Sequence, residues 1–191
     1  MSRYTIPLRQ RPGDIVLLLF FCISLFYVAL VMDIEQLMIP DVSNFTYPIW
    51  PPAFLVDHVH WYGRTFDPLQ IARPAWWRAC IWHEMVFGVP FYLFAIPAFI
   101  RGREWIRIPA LLCGASLITI VLIILYEERY GPYPAPHYAE AFLFNLPWLL
   151  WPAYMIYRMW RHPHPFTRSA RGTYRHPGIG DEPEISGPTE I

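Results

Sequence analysis

Ile15 to Met32, IVLLLFFCISLFYVALVM, is an uninterrupted apolar run without a single charge. It is about the length needed to cross a hydrocarbon core roughly 30 Å thick. A chain carrying such a run is bound to lipid before anything else about it is known. The composition agrees: 191 residues, 55% hydrophobic, 18% aromatic and only 16% charged, which is too apolar for an ordinary soluble domain and too short for more than one compact unit.

Three more apolar regions follow, at about 75–100, 108–126 and 139–160. Backbone polar groups in lipid must be satisfied internally, and no segment alternates as barrel strands do. The expected fold is therefore all-α, a polytopic membrane protein built as a four-transmembrane-helix bundle. Its organisation reads as a cytosolic N-terminus at 1–14, a four-helix membrane domain at 15–160, and a Pro- and Gly-rich tail at 161–191 without apolar periodicity, expected to be disordered. The first run exceeds a signal-peptide core, and MDIEQLMIP lacks a small-x-small cleavage pattern, so it reads as a retained span.

All 15 basic residues are arginine. Arg3, Arg9 and Arg11 precede span one, Arg101, Arg103 and Arg107 link spans two and three, and Arg158, Arg161, Arg168, Arg171 and Arg175 follow span four. In a four-span protein these segments share one side, which the positive-inside rule makes cytosolic. Arg64 and Arg73 in the long first loop weaken the contrast. Asn44-Phe45-Thr46 in that loop is a glycosylation pattern set too close to the membrane for ready use.

The chemistry lies in charges placed where they are costly. Glu84 sits a third of the way into span two, in WWRACIWHEMVFGVPFY. An acid at that depth costs a few kcal/mol unless it faces the bundle interior or a wet cavity. It can serve there as a proton donor or as a counter-ion. Asp33 closes span one; since spans one and two enter from opposite sides, the two carboxylates can meet in one cavity. Asn145 and Trp148 are three apart in span four and share a helix face. Pro90, Pro97, Pro147 and Pro152 interrupt the backbone ladders nearby. With Tyr27, Phe87, Phe91 and Trp148 as walls, the expected pocket is an aromatic box with acids near one end. It would suit a cation with an apolar body, each ring adding about 0.5–2 kcal/mol. Packing is the better reading for Trp76, Trp77, Trp151 and Trp160, since aromatic residues gather at membrane interfaces anyway.

Other chemistries find little support. Asp57, His58 and His60, or His83 beside Glu84, are too few for a histidine-box oxidase, and no metal site or cofactor is expected. Cys22, Cys80 and Cys113 fall inside spans and read as small packing residues. No phosphate loop, nucleophile elbow or dinucleotide fingerprint occurs, and the arginines line membrane edges rather than forming a nucleic-acid patch.

RPGD before span one, LVMDIEQL at its end, WYGRTFDPL in the loop, RPAWWRACIWHEMVFGVPFY for span two, RGREWIRIPALL and PWLLWP together resemble the EXPERA superfamily, most of all its sigma-2 receptor branch. The resemblance covers roughly residues 11 to 160. It implies a four-helix bundle of the endoplasmic reticulum with a pocket accessible to sterols and amines and open toward the bilayer. It further implies that Asp33 and Asp67 recognise amines and that Glu84 lines the same pocket, although Asp67 in FDPL can instead be a structural aspartate fixing the loop. The related emopamil-binding protein, a sterol isomerase, shifts a double bond through a carbocation. Asn145 and Trp148 resemble that branch, but span one lacks its histidine-to-glutamate pair. The resulting expectation is a protein that binds sterols or amine-bearing lipophilic ligands, with a role in lipid handling or quality control. The quality-control role comes from a related fungal efficient-mitochondria-targeting-associated protein. The alternative is an isomerase with Glu84 and Asp33 as its acids. The lipid bilayer is the certain partner, and a homodimer is left open.

Overall fold

The computed structural model describes residues 3–169. It is almost entirely helical. Helix α1, Pro12–Met38, α4, Ala75–Arg101, and α5, Glu104–Tyr130, are each long and apolar enough to cross a membrane. At about 1.5 Å per residue each exceeds the roughly 30 Å hydrocarbon thickness. Between α1 and α4 the chain forms α2, Ala53–Thr65, and the single turn α3, Leu69–Ala72. After α5 come α6, Tyr138–Asn145, and α7, Pro147–Arg161. The fourth apolar region is thus two helices broken at Leu146, ahead of a proline that is at home in a first helical turn.

Two crossing helices are not regular. Ser24–Asp33 of α1 and Glu84–Gly88 of α4 wind as π-helix, with the Ile34 N–H reaching back to the Ala29 carbonyl and the Val89 N–H to that of Glu84. The second segment has a visible cause close by: Pro90 has no N–H to return to the preceding turn. Asp33 ends one π stretch and Glu84 begins the other. Such segments recur at functional sites.

The core joins α1, α4, α5 and α7. Leu17, Phe20, Phe21, Tyr92, Ala95, Phe99, Ala110, Met155 and Met159 are fully or almost fully buried there. Helices α5 and α7 make the most extensive contact between two helices, and Gly114 permits their close approach: a Cβ there would lie 2.9 Å from Ile156 Cγ1 and 3.2 Å from Met155 Cε. In lipid, close approach at small residues replaces the hydrophobic drive. Gly114→Val should therefore cost about 1–3 kcal/mol of stability by overpacking, read as a lower unfolding temperature in detergent.

The first and last described segments meet at one pole. Strands β1, Arg3–Thr5, and β2, Thr167–Ser169, pair antiparallel with Tyr4 opposite Arg168. Glu104 accepts bonds from the Phe166 N–H (3.1 Å) and the Thr167 hydroxyl (2.8 Å). Asp14, fully buried, is held by Arg11 at 2.5 Å and Arg158 at 3.1 Å. Arg11 and Arg158, topological markers by sequence, are thus also internal braces. The tail from 161 is described as far as Ser169, and there it pairs and buries Phe166 completely. The rest of the segment expected to be disordered lies outside the described residues.

Candidate functional site

The loop after α1 is held down by a buried ionic triad. Glu35, at 0% exposure, accepts two bonds from the Arg73 guanidinium (2.7 and 2.9 Å) and contacts His60 Nε2 at 2.8 Å. Arg73 also donates to the carbonyls of Ile39 and Gln70, and its backbone is left-handed, with φ 47°. Arg73, a loop charge by sequence, is thus paired inside the protein rather than solvated. Tyr27 ties α1 to α2 through His58 Nε2 at 2.8 Å.

Under this loop lies a cavity of about 170 Å³ between α1, α4, α5 and the α6–α7 pair. Asp33, Asp67, Glu84, Asn145 and Trp148 all line it, so five of the residues singled out by sequence come together. No arginine, lysine or histidine is among its lining residues. Asp33 is 7% exposed, its Oδ2 has no partner among the described residues, and Glu84 is near enough to act on it electrostatically. Glu84 folds back over Gly88, where a Cβ would fall 2.6 Å from its carboxyl carbon, so the glycine makes room for the acid. Trp148 meets Phe20 edge-on at 6.0 Å, which fixes its ring between core and cavity.

Asp67 has two roles. Its oxygens accept from the Leu69 N–H (3.1 Å) and the Gln70 amide (3.0 Å), which starts α3. It also faces the cavity, and burial pushes it from the ordinary 3.8 up to about 6, against the opposing pull of those two hydrogen bonds. Burial, then the nearby Asp67 and Glu128 carboxylates, raise the Tyr62 phenol, leaving it a neutral donor at the cavity wall.

Tyr27, Phe87 and Phe91 are not in this cavity. Tyr27 lies six residues before Asp33, hence on another face, and is spent on His58. Phe87 is 65% exposed, and Phe91 packs edge-on against Phe21 at 5.5 Å. The wider π turn after Glu84 rotates the downstream face, carrying both rings to a neighbouring groove.

The structure adds Gln36, Gln70, Tyr62, Trp77 and Cys80 to the lining. Helical spacing marks three of them: Gln36 three after Asp33, Gln70 three after Asp67, Cys80 four before Glu84. Trp77, read as packing, donates to Gln36 Oε1 at 2.6 Å and also faces the cavity. Glu128 carried no signal beyond its place at the end of an apolar run. It is 1% exposed, lies 3.5 Å from the Asn145 amide, and has an unpartnered Oε2. Among the described residues no group of three or more His, Cys, Asp and Glu side chains is arranged to hold a metal ion.

The chain is similar to known proteins. A sigma intracellular receptor 2 of Xenopus tropicalis is 29% identical over 117 residues, covering 60% of this chain and 64% of its own length. That of Macaca fascicularis is 28% identical over 173 residues, covering 83% and 93%. The Homo sapiens protein is 31% identical over 121 residues, covering 62% and 64%. The chain thus spans less than two thirds of the frog and human relatives and nearly all of the macaque one. The model of EXPERA, the EXPanded EBP superfamily, matches residues 54–159, more than half of the chain and the part that holds Asp67, Glu84, Asn145 and Trp148. The chain belongs to the EXPERA superfamily, and within it is similar to the sigma-2 receptor branch.

Proposed function

We propose that this protein is a four-span membrane protein of the endoplasmic reticulum that binds sterols or hydrophobic amines in the acidic intramembrane cavity, and so takes part in lipid handling or quality control. The observation that carries the reading is three carboxylates, Asp33, Asp67 and Glu84, lining one cavity with no cationic side chain beside them. Buried charge is retained where it is paired, and the missing partner here is a cation. Aromatic walls at Trp77, Phe144 and Trp148 suit an apolar body attached to it.

Four crossings are supported by the meeting of β1 and β2 at one pole, which asks for an even number. The α6–α7 pair, residues 138–161, is about 36 Å long at 1.5 Å per residue, enough for the fourth. The arginine-rich pole is then cytosolic, with both termini. A cysteine replacing exposed Arg103 should react with an impermeant maleimide added from the cytosolic side. Protection there, with reaction only from the lumen, would reverse the topology. Gly102 is the wrong probe position, since its φ of 64° and a Cβ 2.5 Å from Thr5 exclude a side chain.

The test of binding is a hydrophobic quaternary amine, charged at every pH, titrated against the full chain in nanodiscs. Its affinity should rise as pH climbs through about 6, where Asp67 ionises. The same group makes the fold lose stability between pH 3.8 and about 6, because the folded chain holds that proton more tightly than the unfolded chain does. Absence of saturable binding would sink the reading.

A second reading, double-bond isomerisation through a carbocation, is favoured by Glu84, Asn145 and Trp148 sharing the cavity. Solvent deuterium appearing in a bond-shifted sterol, and lost in Glu84→Gln, would establish it. Binding without incorporation would leave the non-enzymatic reading.

A further inference from the structure

Beside the acidic cavity, between α4 and α5, lies a larger hollow of about 570 Å³ that shares Glu84 and Leu117 with it. Its walls include Phe91, Phe94, Trp105, Pro109 and Leu112. Phe94, Trp105 and Leu112 are more than half exposed on helices able to cross a bilayer, so acyl chains, not water, face most of this surface.

Polarity is confined to one side. His83 Nδ1 and Glu84 Oε1 are buried there without hydrogen-bond partners among the described residues. The other polar side chains that line the groove are the Cys113 thiol, the half-exposed Trp105 indole and Ser116, which already donates to the Cys113 carbonyl at 3.1 Å. Tyr92 lies close behind Glu84, and its hydroxyl, like Glu84 Oε1, has no hydrogen-bond partner among the described residues.

These features select an occupant. It needs a long apolar body and one small donor that can satisfy a carboxylate or an imidazole nitrogen. A fatty acid would set its carboxylate against Glu84, and a phospholipid would bring a large charged head to a site lined by no arginine or lysine. A single hydroxyl on a rigid ring system fits, and rigidity keeps the ordering cost low. The groove has room for such a body: ligand sites run from about 300 to 1,000 Å³, a range that includes it.

We propose that the α4–α5 groove is a second lipid site, holding a membrane sterol with its hydroxyl on His83 and Glu84. Through Glu84 it is coupled to the acidic cavity. A hydroxyl donated to Glu84 supports the carboxylate form that a cation next door also needs, so each ligand strengthens the other, and to the same extent. This coupling rests on the cation reading of the cavity; occupation of the groove does not.

The test uses the full chain in nanodiscs with a diazirine-bearing sterol and peptide mapping of the adducts. Adducts are expected on α4 and α5 at Phe94 and Leu112. Leu112→Trp, which fills the groove, should cut labelling about tenfold while leaving quaternary-amine affinity in sterol-free discs unchanged. Sterol should tighten amine binding in the wild type and not in that variant. Asp33→Asn should lose the amine and keep the label, so failure of the cavity reading shows separately. Four results would overturn the site: adducts only on cavity residues such as Ile124 and Trp148, equal groove labelling by a diazirine fatty acid, a crosslink joining two copies across this face, or full labelling of Leu112→Trp. If that variant does not fold, the wild-type adduct map decides the matter alone.

Discussion

Asp33→Asn should weaken binding of a hydrophobic quaternary amine at least about thirtyfold, from the 2–5 kcal/mol that removing one partner of a buried charge pair costs. The substitution keeps shape and removes charge from a side chain that is 7% exposed and has one oxygen unpartnered. Folding should be preserved or improved, because a neutral amide is cheaper to bury than an unpaired carboxylate. That pairing of outcomes separates a ligand-binding acid from a structural one. The readout is a binding isotherm beside a thermal melt of the same preparation. Weak binding with an unchanged or raised melting temperature supports the assignment, and unchanged binding would remove Asp33 from the site. Glu84→Gln should act in the same direction, while Asp67→Asn should also loosen α3, because Asp67 holds the Leu69 N–H and the Gln70 amide.

Glu35→Ala should destabilise the fold by about 3–5 kcal/mol, the cost of leaving a buried partner charge alone. Arg73 would be stranded at 3% exposure, with its remaining bonds only to carbonyl oxygens. The double change Glu35→Leu with Arg73→Met should cost much less than the two single changes added, because apolar side chains of similar volume can replace a buried ion pair. Chemical or thermal unfolding of the four proteins completes the cycle. A double variant as damaged as the sum would show that Glu35 and Arg73 act independently. Since the triad pins the loop carrying Tyr62 and Asp67 over the cavity, Glu35→Ala should weaken amine binding as well, through position rather than contact.

Much of the site could be read from the sequence because burial in lipid makes charge conspicuous. Glu84 and Asp33 stand out against apolar runs, and helical spacing joins Asn145 to Trp148. Asp67 came from family resemblance, and the structure gives it a helix-starting role as well as a place in the cavity. Phe87 and Phe91 fell out because face assignments assume regular helices and the π stretch at Glu84–Gly88 breaks that assumption, whereas Tyr27 lies on another face from Asp33 and is spent on His58. Glu35 and Arg73 were invisible for another reason. They are 38 positions apart, and nothing in either neighbourhood tells a paired charge from a solvated one.

By itself the sequence determined the solvent: an apolar run as long as Ile15 to Met32 has nowhere to be but a membrane, and local hydropathy needs no partner to act. Helix identity followed from the same cause, because lipid leaves the backbone no other way to satisfy its own hydrogen bonds. Only the tertiary structure decided which acids are neutralised internally and which are left open to a ligand. Glu35 and Glu84 are both acids set in apolar surroundings, yet one meets a guanidinium at 2.7 Å and the other faces two hollows without a cation. That difference depends on how separate helices pack, and pairwise electrostatics between distant positions leaves no local trace in the chain.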